Sequence, residues 1–405
     1  MKNQHIIVAG AGIGGLSAAL ALARAGQRVT VLERSAQFAP VGAGIQLGPN
    51  AMKVLAQWGL QDAVRAKACL PEAIAVRSAT TGRSISRMLL GQAVQQRYGQ
   101  VYASVHRADL HSVLLQAVLS QNNIDVRCNA PVHSIDSISA KGVQVRIGAA
   151  THGAQPTTLA ADALVAADGL WSTVRQQVFA DGAPRPTGHA AYRVLLPMHC
   201  VPPAWTATQV GLWWGSKVHV VHYPVRSGDF LNLVVLSEQS AAQASASWAQ
   251  PAQQAQVLVL GSMGGTGSLC APLRELLACV PASGAQWQSW HLYDRPAAAT
   301  WAKGSVALLG DAAHPMLPYL AQGAAMAIED AAVLAQQAAL HTDWGPALQS
   351  YEQLRRPRCE RVVATARRNG KIFHLAQPWA TARDAVLALK GTEVVGLPWL
   401  YGADV

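Results

Sequence analysis

Three hydrophobic patterns follow one another along the chain. His5–Ala9 is a short, continuous apolar run of buried-strand type, closed at once by the glycine cluster 10–15. Residues 16–25 then set alanines and leucines at helical spacing up to Gly26, and residues 28–33 form a second, β-branched strand. This strand–turn–helix–strand order opens a right-handed, doubly wound parallel sheet. Further helices are predicted over residues 50–60, 108–120 and 320–340, and strands over 74–90, 143–147, 159–167 and 306–309. Between about 187 and 237 the pattern changes: GLWWGS, KVHVVHYPV and FLNLVVL are antiparallel-sheet segments separated by turns. Residues 240–285 read as alanine-rich helix with a break at 261–267.

The glycine cluster has the form Gly10-x-Gly12-x-x-Gly15, with Glu33 at the end of the second strand. Gly10 permits a tight turn, Gly12 lets backbone approach a pyrophosphate, and Gly15 lets helix pack on strand. The helix N-terminus offers N–H groups and a positive dipole end to the phosphates, and Glu33 is placed for ribose hydroxyls. A dinucleotide is expected here, either NAD or FAD. The four glycines 261, 264, 265 and 267 lack a strand–helix context, so no second site of this kind is expected.

The fold class expected is α/β. A Rossmann-type domain with a parallel sheet is interrupted by an antiparallel-sheet domain and followed by C-terminal helices. The nucleotide domain is expected over 1–73, 101–184 and 285–345, the inserted sheet domain over 74–100 and 185–284, and a C-terminal helical segment over 346–405.

A second motif separates NAD from FAD. Residues 304–331 read GSVALLGDAAHPMLPYLAQGAAMAIEDA, a strand that delivers Gly310 and Asp311 to a turn, then a proline-bounded loop that feeds a long helix. Asp311 can bind a ribityl hydroxyl, and the N-terminus of the following helix, which starts near Leu320, can stabilise charge at the flavin N1–C2=O edge. A third motif runs from Ala167-Asp168-Gly169 to Arg175, another strand ending in an acid–glycine turn.

In this order the three motifs resemble the single-component FAD-dependent aromatic hydroxylases, the group containing salicylate, 3-hydroxybenzoate and 6-hydroxynicotinate monooxygenases. The resemblance covers nearly the whole chain. It includes residues 42–50 (GAGIQLGPN), 106–110 (HRADL), Tyr351 with Arg355 and Arg358, and the end at 399–404 (WLYGAD). It implies non-covalent FAD held by Gly10, Gly12, Gly15, Glu33 and Arg34 on the ADP side. Arg107, Asp168, Asp311, Gly323 and Ala324 would line its other half. The implied reaction takes electrons from NADH, in preference to NADPH, and transfers one atom of O2 through a C4a-hydroperoxyflavin to a small hydroxylated aromatic carboxylate.

On the substrate side, alternation puts His219, Val221 and Tyr223 on one face of a strand. The resemblance sets that face over the flavin, with His219 and Tyr223 as the catalytic pair. A phenolate is attacked more readily than a phenol, and a neutral histidine can take the proton. Gln46 and Pro318 are expected to line the substrate pocket. Some hydroxynicotinate-type relatives carry His at the first position, and 3-hydroxybenzoate 6-hydroxylases tend to carry Gln at the second, so this chain departs from both patterns. Arg193 can meet a substrate carboxylate, although a structural ion pair is the preferred reading. His314 is expected to pack and cap the flavin loop.

Charge and composition narrow the partners. The formal charge of +10 suits anionic ligands, but the basic residues are scattered without interleaved aromatics, which argues against nucleic acid. The densest basic stretch, 355–371, reads as a solvated helix face. Six widely spaced cysteines without a CxxC pair argue against structural zinc and a disulfide framework. No metal, no secretory signal and no membrane span are expected, and a cytoplasmic monomer or homodimer follows. Three rivals stay open: a flavin dehydrogenase or reductase without oxygen transfer, a protein holding FAD structurally, and a monooxygenase of polycyclic or polyketide substrates.

Overall fold

The computed structural model describes residues 3–38, 42–139, 141–148, 156–205, 208–239, 259, 261, 263–390 and 397–403. The expected helix over 240–258 and the terminal Asp404 lie outside the described residues.

The apolar runs become a six-stranded sheet in the order Ala302–Lys303, Val306–Leu308, Ala163–Ala166, His5–Ala9, Arg28–Leu32, Ile124–Arg127. All its pairs are parallel except the edge pair of Ala302–Lys303 with Val306–Leu308. Its four central strands are buried on both faces because helices cover both sides, which is why they read as continuous apolar runs. Helix Ile13–Arg24 packs against Gly323–Leu340, and Gly14 permits the approach: a Cβ there would lie 3.0 Å from Leu309 and 3.3 Å from Ala327.

A seven-stranded sheet forms the second layer, in the order Gln288–Asp294, Arg185–Pro197, Phe230–Glu238, Val218–Val225, Gln209–Gly215, Ala73–Ser78, Ser84–Leu89. Its pairs are antiparallel except Gln209–Gly215 with Ala73–Ser78, which run parallel because the intervening chain crosses the other domain. One face carries Val194, Leu196, Val218, Val220, Leu231 and Leu233 onto helix Ala271–Ala282, forming a second core. The other face is turned to the parallel-sheet half.

Two expectations change. The single strand expected over 159–167 is two strands in different sheets, Thr157–Ala161 and Ala163–Ala166. Asp162 interrupts it, with Oδ2 accepting from His5 N at 2.7 Å, so the first part joins a separate three-stranded sheet with Gly142–Ile147 and Val132–Ser139. The return to the parallel layer also comes later than residue 285, because Gln288–Asp294 still pairs with Arg185–Pro197.

Two buried arginines tie the loops together. Arg175 is fully buried, pairs with Asp181, and donates to Ala312 O (2.9 Å) and Ala313 O (3.1 Å), fixing the loop after Asp311 against the Asp168 motif. Arg355 pairs with Glu329 and Asp330, each at 2.7 Å, and Arg358 pairs with Glu329 at 2.7 Å. The solvated-face reading of 355–371 therefore fails for these two. They point inward because helix Trp344–Phe373 lies across Gly323–Leu340 and must meet its two buried acids.

Candidate active site

The glycine turn has a geometry that only glycine satisfies. Gly10 sits at φ +97°, where a Cβ would lie 2.5 Å from the Ala167 carbonyl oxygen. At Gly15 a Cβ would stand 1.8 Å from the Gly10 carbonyl oxygen. Helix Ile13–Arg24 starts at Gly12 without a side-chain cap, so its first N–H groups stay available to a phosphate. Glu33 accepts from Ala11 N and Ser35 N, both at 2.9 Å, which holds its carboxylate beside the turn. Arg34 next to it is exposed.

Asp168 packs on the same turn. Its Oδ2 accepts from Val174 N at 3.3 Å, while Oδ1 is buried without a hydrogen bond of good geometry. Burial raises the pKa of this carboxyl. An orphaned buried acceptor is costly, and a ligand hydroxyl would relieve it. These features fit the pyrophosphate and riboses of a dinucleotide.

Between the two layers lies a cavity of about 950 Å³, at the upper end for a small-molecule site and large enough for a flavin ring beside an aromatic substrate. Asp311, Gly323 and Ala324 meet on one side of it. The Asp311 carboxylate opens onto the cavity, and the surrounding protein mass pushes its pKa up. Gly323 begins helix Gly323–Leu340, which has no side-chain cap, and the place of its missing Cβ is 3.9 Å from Asp311 Oδ1. Arg107 begins helix Arg107–Leu119, and its charge is felt at both Asp311 and Arg193.

The opposite wall is the free face of the seven-stranded sheet. Its register sets Arg193, Val234, Val221 and Leu212 in one row across four strands, and all four line the cavity. His219 lies in the next row, between Leu236 and Trp214, and Tyr223 in the row on the other side, beside Asn232. The alternation expected of His219, Val221 and Tyr223 places all three on the cavity wall, while His222 points backward, its ring centroid 4.9 Å from that of Trp205.

Tyr223 packs on Gly44, where a Cβ would lie 2.5 Å from its ring, and Gly44 N donates to Asn232 Oδ1 at 2.8 Å. Burial pushes the Tyr223 phenol up to about 12. Gln46 lines the cavity and accepts the Tyr102 hydroxyl proton, and Pro318 lines it from the loop before Gly323. His219 is 2% exposed, its Nδ1 is 2.8 Å from His374 Nε2, and burial beside two other histidines holds it well below the ordinary range.

Arg193 corrects an expectation. Among the described residues it has no carboxylate partner. Its guanidinium stacks over Trp290 at 5.2 Å, and its buried Nε has no hydrogen bond. The strand pairing puts it in the cavity wall. His314 is not in that wall. Its Nε2 bonds Asp330 Oδ2 at 2.6 Å behind the loop, and the Arg355 guanidinium fills the place a cation would take among His314, Asp330 and Cys359. Sequence reading missed Tyr102, Tyr319, His374 and Glu238, which reach the site only through long-range packing. The available hints were an aromatic shortly before the HRADL segment, for Tyr102, and the position next to Pro318, for Tyr319.

The chain matches the model of the FAD binding domain family over residues 3–261 and 275–366. It is 35% identical over 405 residues to 3-hydroxybenzoate 6-hydroxylase 1 of Aquipseudomonas alcaligenes, covering 99% of this chain and 98% of that protein. The chain belongs to the FAD-dependent aromatic hydroxylases. The hydroxylase is also 35% identical over 407 residues to 3-amino-4-hydroxybenzoate 2-monooxygenase PtmB3 of Streptomyces platensis, covering 100% of this chain and 97% of that protein. Among solved structures, HpxO of Klebsiella pneumoniae complexed with FAD and uric acid superposes with a TM-score of 0.81 at 25% identity, covering 97% of the hydroxylase and 94% of that chain. A salicylate hydroxylase substrate complex shares the fold with a TM-score of 0.81 at 24% identity, covering 100% and 96%. FAD is thus the cofactor of this hydroxylase, and among the described residues no helix is long and apolar enough to cross a membrane.

Proposed function

We infer that the enzyme uses NADH, in preference to NADPH, and O2 to hydroxylate a small hydroxylated aromatic carboxylate. The substrate would lie with its hydroxyl at His219 and its carboxylate at Arg193. The observation that carries this reading is the pairing of a guanidinium that has no carboxylate partner among the described residues with a neutral imidazole on one apolar wall. A benzoate-sized ring bearing both groups matches that pair, and two named relatives act on hydroxylated benzoates. Those relatives hydroxylate different positions, so regiochemistry is left to the product analysis below.

In this reading Gly10, Gly12, Gly15, Glu33 and Arg34 hold the ADP half of FAD. Arg107, Asp168, Asp311, Gly323 and Ala324 surround its ribityl and ring portions. When bound, FAD supplies the electron transfer from the nicotinamide and the activation of O2. The chain supplies the rest. Arg193 orients the acid by a charge-assisted bond. His219 Nε2 accepts the hydroxyl proton, which raises electron density in the ring. Tyr223, un-ionised at neutral pH, donates to an oxygen of the substrate, and Gln46 and Pro318 bound the pocket. The apolar wall keeps water out. The protein would work in the cytoplasm as a monomer or homodimer, with its domains divided as expected apart from strand Gln288–Asp294.

The test is NADH oxidation by the FAD-loaded protein against hydroxybenzoates and hydroxypyridine carboxylates, with oxygen uptake and product mass recorded together. A product one oxygen heavier, or hydroxylated with loss of CO2, is the expected result. If no acid in the panel accelerates NADH oxidation, and larger polycyclic phenols do, the small-acid assignment is wrong.

A further inference from the structure

His219 is a poor resting place for a proton, because it is buried beside His374 and His189. A base in that position needs an exit, and the side chains behind it form one. His219 Nδ1 is 2.8 Å from His374 Nε2, and His374 Nδ1 is 3.3 Å from Glu238 Oε1. Glu238, at the end of strand Phe230–Glu238, is 38% exposed and lines a second opening of about 500 Å³. Leu317 and Tyr319 line both cavities, so they form the wall that the three groups cross. Backbone bonds fix the spacing: Lys217 N donates to His374 O at 3.1 Å, and Glu238 N donates to Lys217 O at 2.9 Å.

The tautomers follow from the carboxylate end. Ionised Glu238 only accepts, so His374 carries its proton on Nδ1 and presents a lone pair at Nε2. His219 must then donate from Nδ1. That leaves the lone pair of His219 on Nε2, the ring nitrogen that His374 does not engage, on a side chain that lines the main cavity.

We propose that His219, His374 and Glu238 form a proton wire that carries the substrate's hydroxyl proton from the main cavity to solvent at the second opening. The idea rests on the functional reading above. The substrate O–H bond breaks as His219 Nε2–H forms. The Nδ1–H of His219 passes to His374 Nε2, the Nδ1–H of His374 passes to Glu238, and Glu238 releases one proton to water. No electrons change hands.

Other titratable and charged groups face the wire, Arg185, Asp294 and Arg295 among them at the second opening. His189 stacks on His374 with centroids 5.7 Å apart, and the Tyr319 hydroxyl bonds His189 Nδ1 at 2.6 Å. Burial, His189 and Arg383 together hold His374 at about 3, so neither ring retains the proton. Arg367 and Lys371 line the second opening with Glu238. Tyr319, with its ring 5.4 Å from that of His219, stays un-ionised through burial. His374 does not line the main cavity, so it acts on the substrate through His219 as a positioning residue.

The test uses FAD-loaded enzyme, a hydroxybenzoate, and a pH indicator in weakly buffered solution. In stopped-flow mixing, the wild type should release a proton as fast as the flavin spectrum reports binding. Glu238→Gln and His374→Gln should bind with little change in affinity but release the proton at least about tenfold more slowly. Separately, histidine-labelled 15N spectra of the ligand-free enzyme should show Nδ1–H on both His219 and His374. Unchanged proton release in both variants, or an Nε2–H on ligand-free His219, overturns the wire. If no hydroxybenzoate perturbs the flavin spectrum, the functional reading fails instead, and the tautomers still decide the wiring.

Discussion

A guanidinium set into an apolar wall without a carboxylate carries a desolvation cost that a bound acid offsets. Arg193 is in that position, over Trp290 and with its Nε unpaired. Because no acid among the described residues pairs with it, replacing it should spare the fold. Arg193→Met is expected to lower kcat/KM for a hydroxybenzoate by roughly ten- to a hundredfold, about 1.4 kcal/mol per factor of ten. The same variant should act almost normally on the matching phenol without a carboxylate. Steady-state ratios for the two compounds check this, and an equal loss on both would place the carboxylate elsewhere. Alternation made the wall legible in advance at His219, Val221 and Tyr223. It was silent on Arg193, because whether an arginine finds a partner depends on strand register, and that puts residues more than thirty positions apart side by side.

Between helices Gly323–Leu340 and Trp344–Phe373, two buried acids, two arginines, Asn50 and His314 form one network. Burial opposes the Asp330 charge, yet His314 and Arg355 hold its carboxyl down at about 2. A depressed carboxyl stabilises the fold above its ordinary pKa, and that stability is lost as pH falls through the folded value. His314 has the opposite sign: burial opposes its charge, but Cys359 and Asp330 raise it well above the usual range, so its share is present at neutral pH. Arg355→Met leaves Asp330 without its arginine and Glu329 with Arg358 alone, which should cost about 3–5 kcal/mol. Thermal unfolding of FAD-loaded protein should show that loss at pH 7, and the gap should narrow as the pH approaches 2. Pattern reading took this helix for a solvated face, because periodicity registers hydrophobicity and cannot tell a buried ion pair from an exposed one. Similarly, the strand break at Asp162 is a single acid reaching His5 N, a contact across 157 residues.

At the scale of the molecule, the parallel sheet, the glycine turn and the acid at Glu33 were readable because each is local: neighbouring residues impose the backbone path. The proton-carrying side chains were not, since His219, His374 and Glu238 come from three distant segments. Net charge is a property of the whole chain, and +10 suits the two anionic co-substrates of the proposed reaction. The rate of flavin reduction at low NADH should therefore fall with added salt, while the rate at saturating NADH stays level. Stopped-flow reduction across ionic strengths measures both, and a salt effect confined to saturating NADH contradicts the steering. The seven-stranded sheet has a further consequence. Alternate positions along its strands answer to different masters, one set gripping helix Ala271–Ala282 and the other including the residues that line the cavity. New substrates can be tried on the second set without wagering the scaffold, so chemistry of this kind can diversify faster than the architecture that carries it.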